Sequence, residues 1–356
     1  MRCFRIAALI VTGIASSLAR ANSLDYTIVA LPGAPTGALP AAINNNGVIV
    51  SYSQGSQQAY VTQPGGPTAT FDLPSSLSVV TGINNSGQVV GTSPSTGFIY
   101  SNGVTQTLTT GSGVTARAIN DSGTVAGSYG SATGNQAYTY SNGQFQSLGT
   151  LPSFTQSLGF AINDSGEVVG NSGNGYSVEE AFLYADGVMQ GLGTLPGDSN
   201  STALSINNLG QVTGQSWGGS DGNFNAFIYD PGTGLMTALG DVPGVGSAGL
   251  QTPAGINDSG EIVGFDTVGS NAYAFLYSDG SMYNLADLIT NDSGWVLGPP
   301  VGINDSGEIV GLGRYDGVEQ GYILYASPEP NARFICLAFA ILFGIARFKR
   351  RLPGRA

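Results

Sequence analysis

Through most of this chain hydrophobic and polar residues alternate in short runs, each cut off by Gly, Asn, Asp or Ser, and outside the two ends no helical spacing lasts longer than a turn. A period of two with this punctuation predicts short strands joined by tight turns. The runs themselves recur. Residues 255–264 read Gly-Ile-Asn-Asp-Ser-Gly-Glu-Ile-Val-Gly, and 302–311 repeat them identically. The Ile of this phrase falls at Ile43, Ile83, Ile119, Ile162, Ile206, Ile256 and Ile303, at intervals of 40, 36, 43, 44, 50 and 47 residues. Such intervals mark one supersecondary motif copied around a ring or along an array.

Within the fourth copy, Gly159–Ile162 is expected as a first strand, Glu167–Gly170 as a second, Ala181–Tyr184 as a third and Val188–Gly193 as a fourth. The turns are Asn163-Asp164-Ser165-Gly166 and Ala185-Asp186-Gly187. Asn and Asp cap backbone amides there, and Gly supplies the positive φ of a short hairpin loop. Four antiparallel strands in about 45 residues is the size of a β-propeller blade; a parallel β-helix is the runner-up, with shorter coils. Third strands carry aromatic pairs two apart, from Phe98 and Tyr100 to Phe275 and Tyr277, on one strand face and expected to pack between blades. The last copy ends one strand short at Tyr325, while Leu24–Ala30 resembles a fourth strand with no first strand before it. The expected fold is therefore all-β, a seven-bladed β-propeller of four-stranded antiparallel blades closed by the N-terminal strand, which leaves no open edge. Residues 291–298 mimic the phrase but are expected to form an elaborated loop between the sixth and seventh copies, with Trp295 packed.

The ends differ from this body. Residues 1–21 combine Arg2 and Arg5, an apolar segment and Ala19-Arg20-Ala21, the pattern of a secretory signal cut between Ala21 and Asn22. The propeller is expected over 22–326. In the tail, 327–356, Pro328-Glu329-Pro330 precedes an apolar segment at 334–346, expected as a C-terminal transmembrane helix, and then Arg347, Lys349, Arg350 and Arg351, which place that end in the cytoplasm. Without the two ends only Arg117 and Arg314 remain as cations against 22 carboxylates, a net charge near −20. That field excludes nucleic acid and anionic membrane surfaces as partners, and leaves contact with a membrane to 334–346 alone. Both cysteines, Cys3 and Cys336, lie in the ends, and there is no His. Ser-His-Asp and Cys-His catalysis and imidazole or thiolate metal sites are thus ruled out.

The phrase, followed by Ala181-Phe182-Leu183-Tyr184 and Leu192-Gly193-Thr194-Leu195-Pro196-Gly197, resembles the HAF family of bacterial extracellular repeats over residues 24–326. That resemblance implies export and a propeller-like fold but no established reaction. The family's His before Ala-Phe is replaced here by Gln136, Glu180, Asn225 or Tyr273. Pro328-Glu329-Pro330, the apolar segment and the basic end resemble the PEP-CTERM sorting signal. This implies an exosortase-like enzyme as a partner at the tail, and a cell-envelope or extracellular location with 334–346 as an inner-membrane anchor.

Asp258, Glu261, Asp305 and Glu308 recur with the phrase and are expected as solvated turn residues, on a uniform face of tight turns. No cofactor, catalytic residue or metal site is expected. The opposite face should collect irregular loops, where binding usually resides. Candidate ligand-binding residues there are Tyr129, Tyr176, Glu179, Glu180, Trp217, Asp221, Phe224, Asp266 and Tyr273, aromatics for stacking and carboxylates for hydroxyls. The expected function is non-enzymatic binding of glycan or of other envelope or exopolysaccharide matrix components. The alternative is a carbohydrate-active hydrolase or lyase with carboxylates in the propeller funnel; a pure matrix scaffold is a third reading.

Overall fold

The computed structural model describes residues 24–53, 55–175, 178–220, 222–246, 249–292 and 294–326. The cleavage point at Ala21 and Asn22, the Pro328-Glu329-Pro330 motif and the apolar segment 334–346 lie outside the described residues. Among those described, no helix is long and apolar enough to cross a membrane. By contacts residues 28–325 form one compact body.

Strands dominate the body, and its one described helical element is a short 3-10 turn, Leu285–Leu288. There are five antiparallel four-stranded sheets and one of eight strands, the latter being two meanders joined by a single parallel bridge from Phe224 to Leu250. Numbered by their phrases, the four-stranded repeats span 39–72, 79–108, 112–149, 156–193, 200–238, 250–284 and 295–326. The seventh takes its outer strand, Tyr26–Ala30, from the N-terminus, and the Leu31 amide continues that pairing by donating to the Gly321 carbonyl at 2.9 Å. The predicted completion of the last repeat by the first strand is therefore present.

Repeats two to seven are assembled around the same contact, while the first has Ser51 opposite Tyr60. The phrase's closing Gly lies opposite the first aromatic of the third strand: Gly91 with Phe98, Gly127 with Tyr138, Gly170 with Phe182, Gly214 with Phe227, Gly264 with Phe275 and Gly311 with Tyr322. A Cβ on any of these glycines would collide with the ring or with the carbonyl of the first strand. Glycine is thus the seat of a fully buried ring, and the ring covers backbone that glycine would otherwise expose. Six buried clusters each join two consecutive repeats, for example Phe71, Val80 and Phe98, or Ala226, Ile256 and Phe275. The aromatics do pack between repeats, as at the stacked pair Phe71 and Tyr100, 3.9 Å apart.

Two expectations are corrected. The stretches expected as irregular loops are largely strand: Val125–Ser131 pairs with Gly134–Ser141 to its last residue, and Ile262–Val268 pairs likewise with Asn271–Ser278. Alternation alone does not mark where a ladder ends, because its backbone bonds run on through polar residues. Nor are residues 291–298 a loop throughout; Trp295–Ile303 is the first strand of the seventh repeat. Asn291, just before it, accepts from the Ile28 amide through Oδ1 at 2.8 Å and donates through Nδ2 to the Ile28 carbonyl at 3.1 Å. One side chain thereby pairs with the outer edge of the closing strand as a neighbouring strand would.

Asn291→Ala should lower the stability of the protein by about 1–3 kcal/mol, the cost of losing two hydrogen bonds to a partly buried edge. Urea denaturation together with hydrogen exchange at the Ile28 amide checks this; unchanged protection at Ile28 would show that the clamp does not hold the strand.

Candidate functional site

The Asn of the phrase is buried in every repeat: Asn44, Asn84, Asn120, Asn163, Asn207, Asn257 and Asn304. Each donates through Nδ2 to the backbone carbonyl of the next, from Asn44 around to Asn304, which donates to Asn44, at 2.9–3.1 Å. The circle closes. The second Nδ2 hydrogen goes to the residue four ahead in five repeats, Gln88, Glu167, Gln211, Glu261 and Glu308. Oδ1 accepts the amide of that same position, as with Glu261 and Glu308 at 2.9 Å. An amide side chain offers two donors, and in these five repeats both are used.

A second circle runs beside the first. The backbone amides of Asn45, Asn85, Asp121, Asp164, Asn208, Asp258 and Asp305 each donate to Oδ1 of the next member, and Asp305 to Asn45, at 2.8–3.1 Å. Oδ1 accepts at every position, which either Asn or Asp can do, and the three Asn also donate through Nδ2 to Oδ2 of a neighbouring Asp, Asn45 to Asp305, Asn85 to Asp121 and Asn208 to Asp258, at the exposed surface. Together the triplets of Ile, Asn and Asn or Asp line an axial cavity of about 210 Å³. The turn residues are thus more than solvated loop: they staple repeat to repeat. The residue three before each Asn is bulged out of the first strand, as at Arg117 and Phe160. The Arg117 guanidinium lies 5.1 Å from the Phe160 ring centre, and desolvation lowers its pKa.

Of the candidate binding residues, Tyr176 and Asp221 lie outside the described residues. The others sit on strands at the far ends of the second–third hairpins, and most serve their own hairpin. Trp217 stacks on Phe224 at 5.1 Å, Tyr129 packs 6.1 Å from Tyr138, and Glu180 accepts from the Gly193 amide. Glu179 accepts from Asn171 at 2.7 Å; burial raises its pKa and that bond partly offsets the rise.

Asp266 is 1% exposed and its Oδ1 has no partner, which corrects its assignment to an open loop. The repeats explain it. Nine residues after the ring Asn, repeats four and five have Ser172 and Ser216, whose hydroxyls donate to the carbonyls of Gln156 and Asn200. Repeat six has Asp266 there, and an ionised carboxylate has nothing to donate. Desolvation raises its pKa, a bond from Gln251 lowers it in part, and nearby Asp241 raises it again. A matching staple, six residues before the ring Asn, escaped the sequence reading although its spacing was visible. Ser157, Ser201 and Gln251 each accept the amide of Ala137, Ala181 or Ala226 in the preceding repeat and donate to Gly149, Gly193 or Gly240.

Among the described candidates Tyr273 lines a sizeable groove, between repeats six and seven. One lobe, about 510 Å³, is walled by Tyr273, Trp295, Asn271, Asn284 and Asp292. A second, about 370 Å³, shares Asn271, Val296 and Leu297 and ends at Arg314 and Glu319. Trp295 is backed by Tyr315 at 5.3 Å and by Tyr322 edge-on at 6.2 Å, which fixes its ring while it borders the lobe. Packed and lining at once, it is a functional candidate that the sequence reading treated as packing only. Among the described residues no group of three or more His, Cys, Asp or Glu could hold a metal ion.

Asn207→Asp should destabilise the protein by at least about 3 kcal/mol, since a buried carboxylate would face two acceptors, whereas Asn208→Asp, which keeps the accepting Oδ1 and loses only an exposed 3.3 Å bond from Nδ2 to Asp258, should cost about 1 kcal/mol or less. Equal losses in thermal or urea unfolding would refute the division of labour. Asp266→Ser should raise stability at neutral pH. A raised carboxyl pKa means the folded state binds more protons than the unfolded, so stability falls as pH climbs from the ordinary carboxylate range through the folded pKa. That slope should flatten in the variant across a pH series of unfolding curves.

No protein-family model matches the chain, and no curated protein matches its sequence. Solved structures match its fold. Virginiamycin B lyase from Staphylococcus aureus, as a catalytically inactive histidine-to-alanine variant with quinupristin, is 13% identical with a TM-score of 0.55, covering 85% of this chain and 99% of that one. The β-propeller domain of the trilobed protease from Pyrococcus furiosus is 9% identical with a TM-score of 0.55, covering 83% and 95%. The extracellular domain of the one-component system BT4673 from B. thetaiotaomicron is 13% identical with a TM-score of 0.51, covering 84% and 40%. At these identities the likeness shows the fold, a β-propeller.

Proposed function

We propose that this chain is an exported, seven-bladed β-propeller, closed by its N-terminal strand, that binds glycan or other envelope and matrix components without turning them over. The observation that carries the reading is the groove between repeats six and seven, where Tyr273 and Trp295 stand beside Asn271, Asn284 and Asp292. An aromatic held rigid by its neighbours, with amides and carboxylates around it, suits a sugar: apolar CH faces stack and hydroxyls are bonded at the edge. Export and tail sorting rest on the signal at 1–21 and on the Pro328-Glu329-Pro330 tail with its basic end.

Against a hydrolase or lyase stands the chemistry at the axis. Asp121, Asp164, Asp258 and Asp305 each receive a backbone amide from the neighbouring repeat. Carboxylates committed to holding the ring are poor nucleophiles and bases. The lyase of the comparison is inactivated by replacing a histidine, and this chain has no histidine.

Affinity electrophoresis of the purified protein through gels carrying soluble polysaccharides should show retardation, weakened about tenfold by Tyr273→Ala and untouched by Trp217→Ala, one aromatic contact being worth about 1.4 kcal/mol. Release of reducing ends or unsaturated products from any polymer, abolished by substituting an axial carboxylate, would instead establish the enzyme.

A further inference from the structure

The groove's shape and charge narrow its ligand, given the glycan-binding reading above. Its two lobes meet at Val296, 67% exposed and standing between them. Each is the size of a whole small-ligand site, about 300–1,000 Å³. Two such sites in line suit a chain of sugars better than a single one.

Charge selects the kind of chain. The exported body has two cations against 22 carboxylates. One cation, Arg117, lies away from the groove, over the Phe160 ring between repeats three and four, and the other, Arg314, lines the second lobe directly across the hairpin from Glu319. With Asp292 in the first lobe, the groove is itself net negative on a strongly negative body. A polymer bearing a carboxylate or sulfate on each sugar would meet like charge inside the groove and around it. Hydroxyls meet what they need: Asp292 and Glu319 to accept, Asn271 and Asn284 to donate and accept.

We propose that this groove takes a segment of neutral polysaccharide several sugars long, stacked on Trp295 and Tyr273 in the first lobe and continuing past Val296 into the second. The selection against acidic polymers is electrostatic, and the binding of neutral ones is not.

The full chain, purified in detergent micelles, is run through gels of galactomannan, dextran or xyloglucan and of alginate or polygalacturonate, at about 0.02 and about 0.5 M NaCl to vary the screening length. At least one neutral polymer should retard it, with an affinity changing less than about twofold between the two salts, and alginate should not at low salt. Asn271→Ala and Asp292→Ala, both at exposed positions that spare the core, should each weaken retardation about fivefold to tenfold. Val296→Arg should weaken the neutral polymer while admitting alginate. Preferential binding of uronate polymers, lost in the groove variants, would overturn the neutral class and leave glycan binding standing. Neutral-polymer binding indifferent to all three variants would overturn the location. Retardation by no polymer would overturn the glycan reading itself.

Discussion

A single hydrogen bond, repeated until it returns to its origin, organises this molecule: the side-chain amide of one phrase Asn to the backbone carbonyl of the next. Each is worth only about 1 kcal/mol net, but a buried amide left unpaired costs about 1–3 kcal/mol. The chemistry is exacting because the buried amide must donate and accept at once, with both donors used in five of the repeats. Aspartate lacks the donors and glutamine would displace them. The neighbouring position, where acceptance by Oδ1 is the bond common to all seven and the Asn donate only at the exposed surface, carries Asn three times and Asp four times, at Asn45, Asn85, Asn208, Asp121, Asp164, Asp258 and Asp305. Two adjacent residues of one turn therefore show opposite tolerance, for a reason visible in atoms.

A circle of such bonds depends on every repeat reaching its neighbour, and glycine makes the reach. Gly255 lies with its ideal Cβ position 3.4 Å from the Gly302 Cα, so that the first strands of repeats six and seven approach closely at the axis. Farther out, Gly264 seats the Phe275 ring against the second strand. The inner circle sets the spacing, the ring-on-glycine contacts set the thickness of each repeat, and the apolar clusters fill what is left between. Closure by the N-terminal strand then satisfies the outer edge of the last repeat, an edge that would otherwise invite pairing with another chain.

The sequence revealed the repeat count, four strands per repeat and the borrowed strand, because alternation, turn residues and aromatic spacing are local signals. It revealed the phrase Asn as a turn former only. That its amide also reaches the next repeat is a fact of three-dimensional arrangement; nothing within forty residues of Asn44 hints at a bond to Asn84. Strand ends were misjudged for a related reason, since Tyr129, Glu179 and Tyr273 look like loop residues by polarity or aromaticity but are held by ladder bonds. Of the candidate site, Tyr273 was found by looking where the repeat is irregular. Trp295 was set aside because it belonged to a stretch that imitates the phrase without completing a repeat.

That imitation carries more than its sequence suggests. Asn291 occupies the position of the phrase Asn and, like it, pairs its amide with backbone, but with the closing strand at Ile28 instead of the next repeat. Four residues later Trp295 opens the first strand of repeat seven and borders the groove. The 3-10 turn at Leu285–Leu288 leads into the same stretch, and Ala286 and Ile289 line the same lobe. The segment that secures the closing strand is therefore also the segment that makes one junction between repeats unlike the others. A ring of near-identical repeats offers near-identical junctions; an insertion at the point of closure breaks that equivalence, and the groove follows from the same residues that fasten the strand.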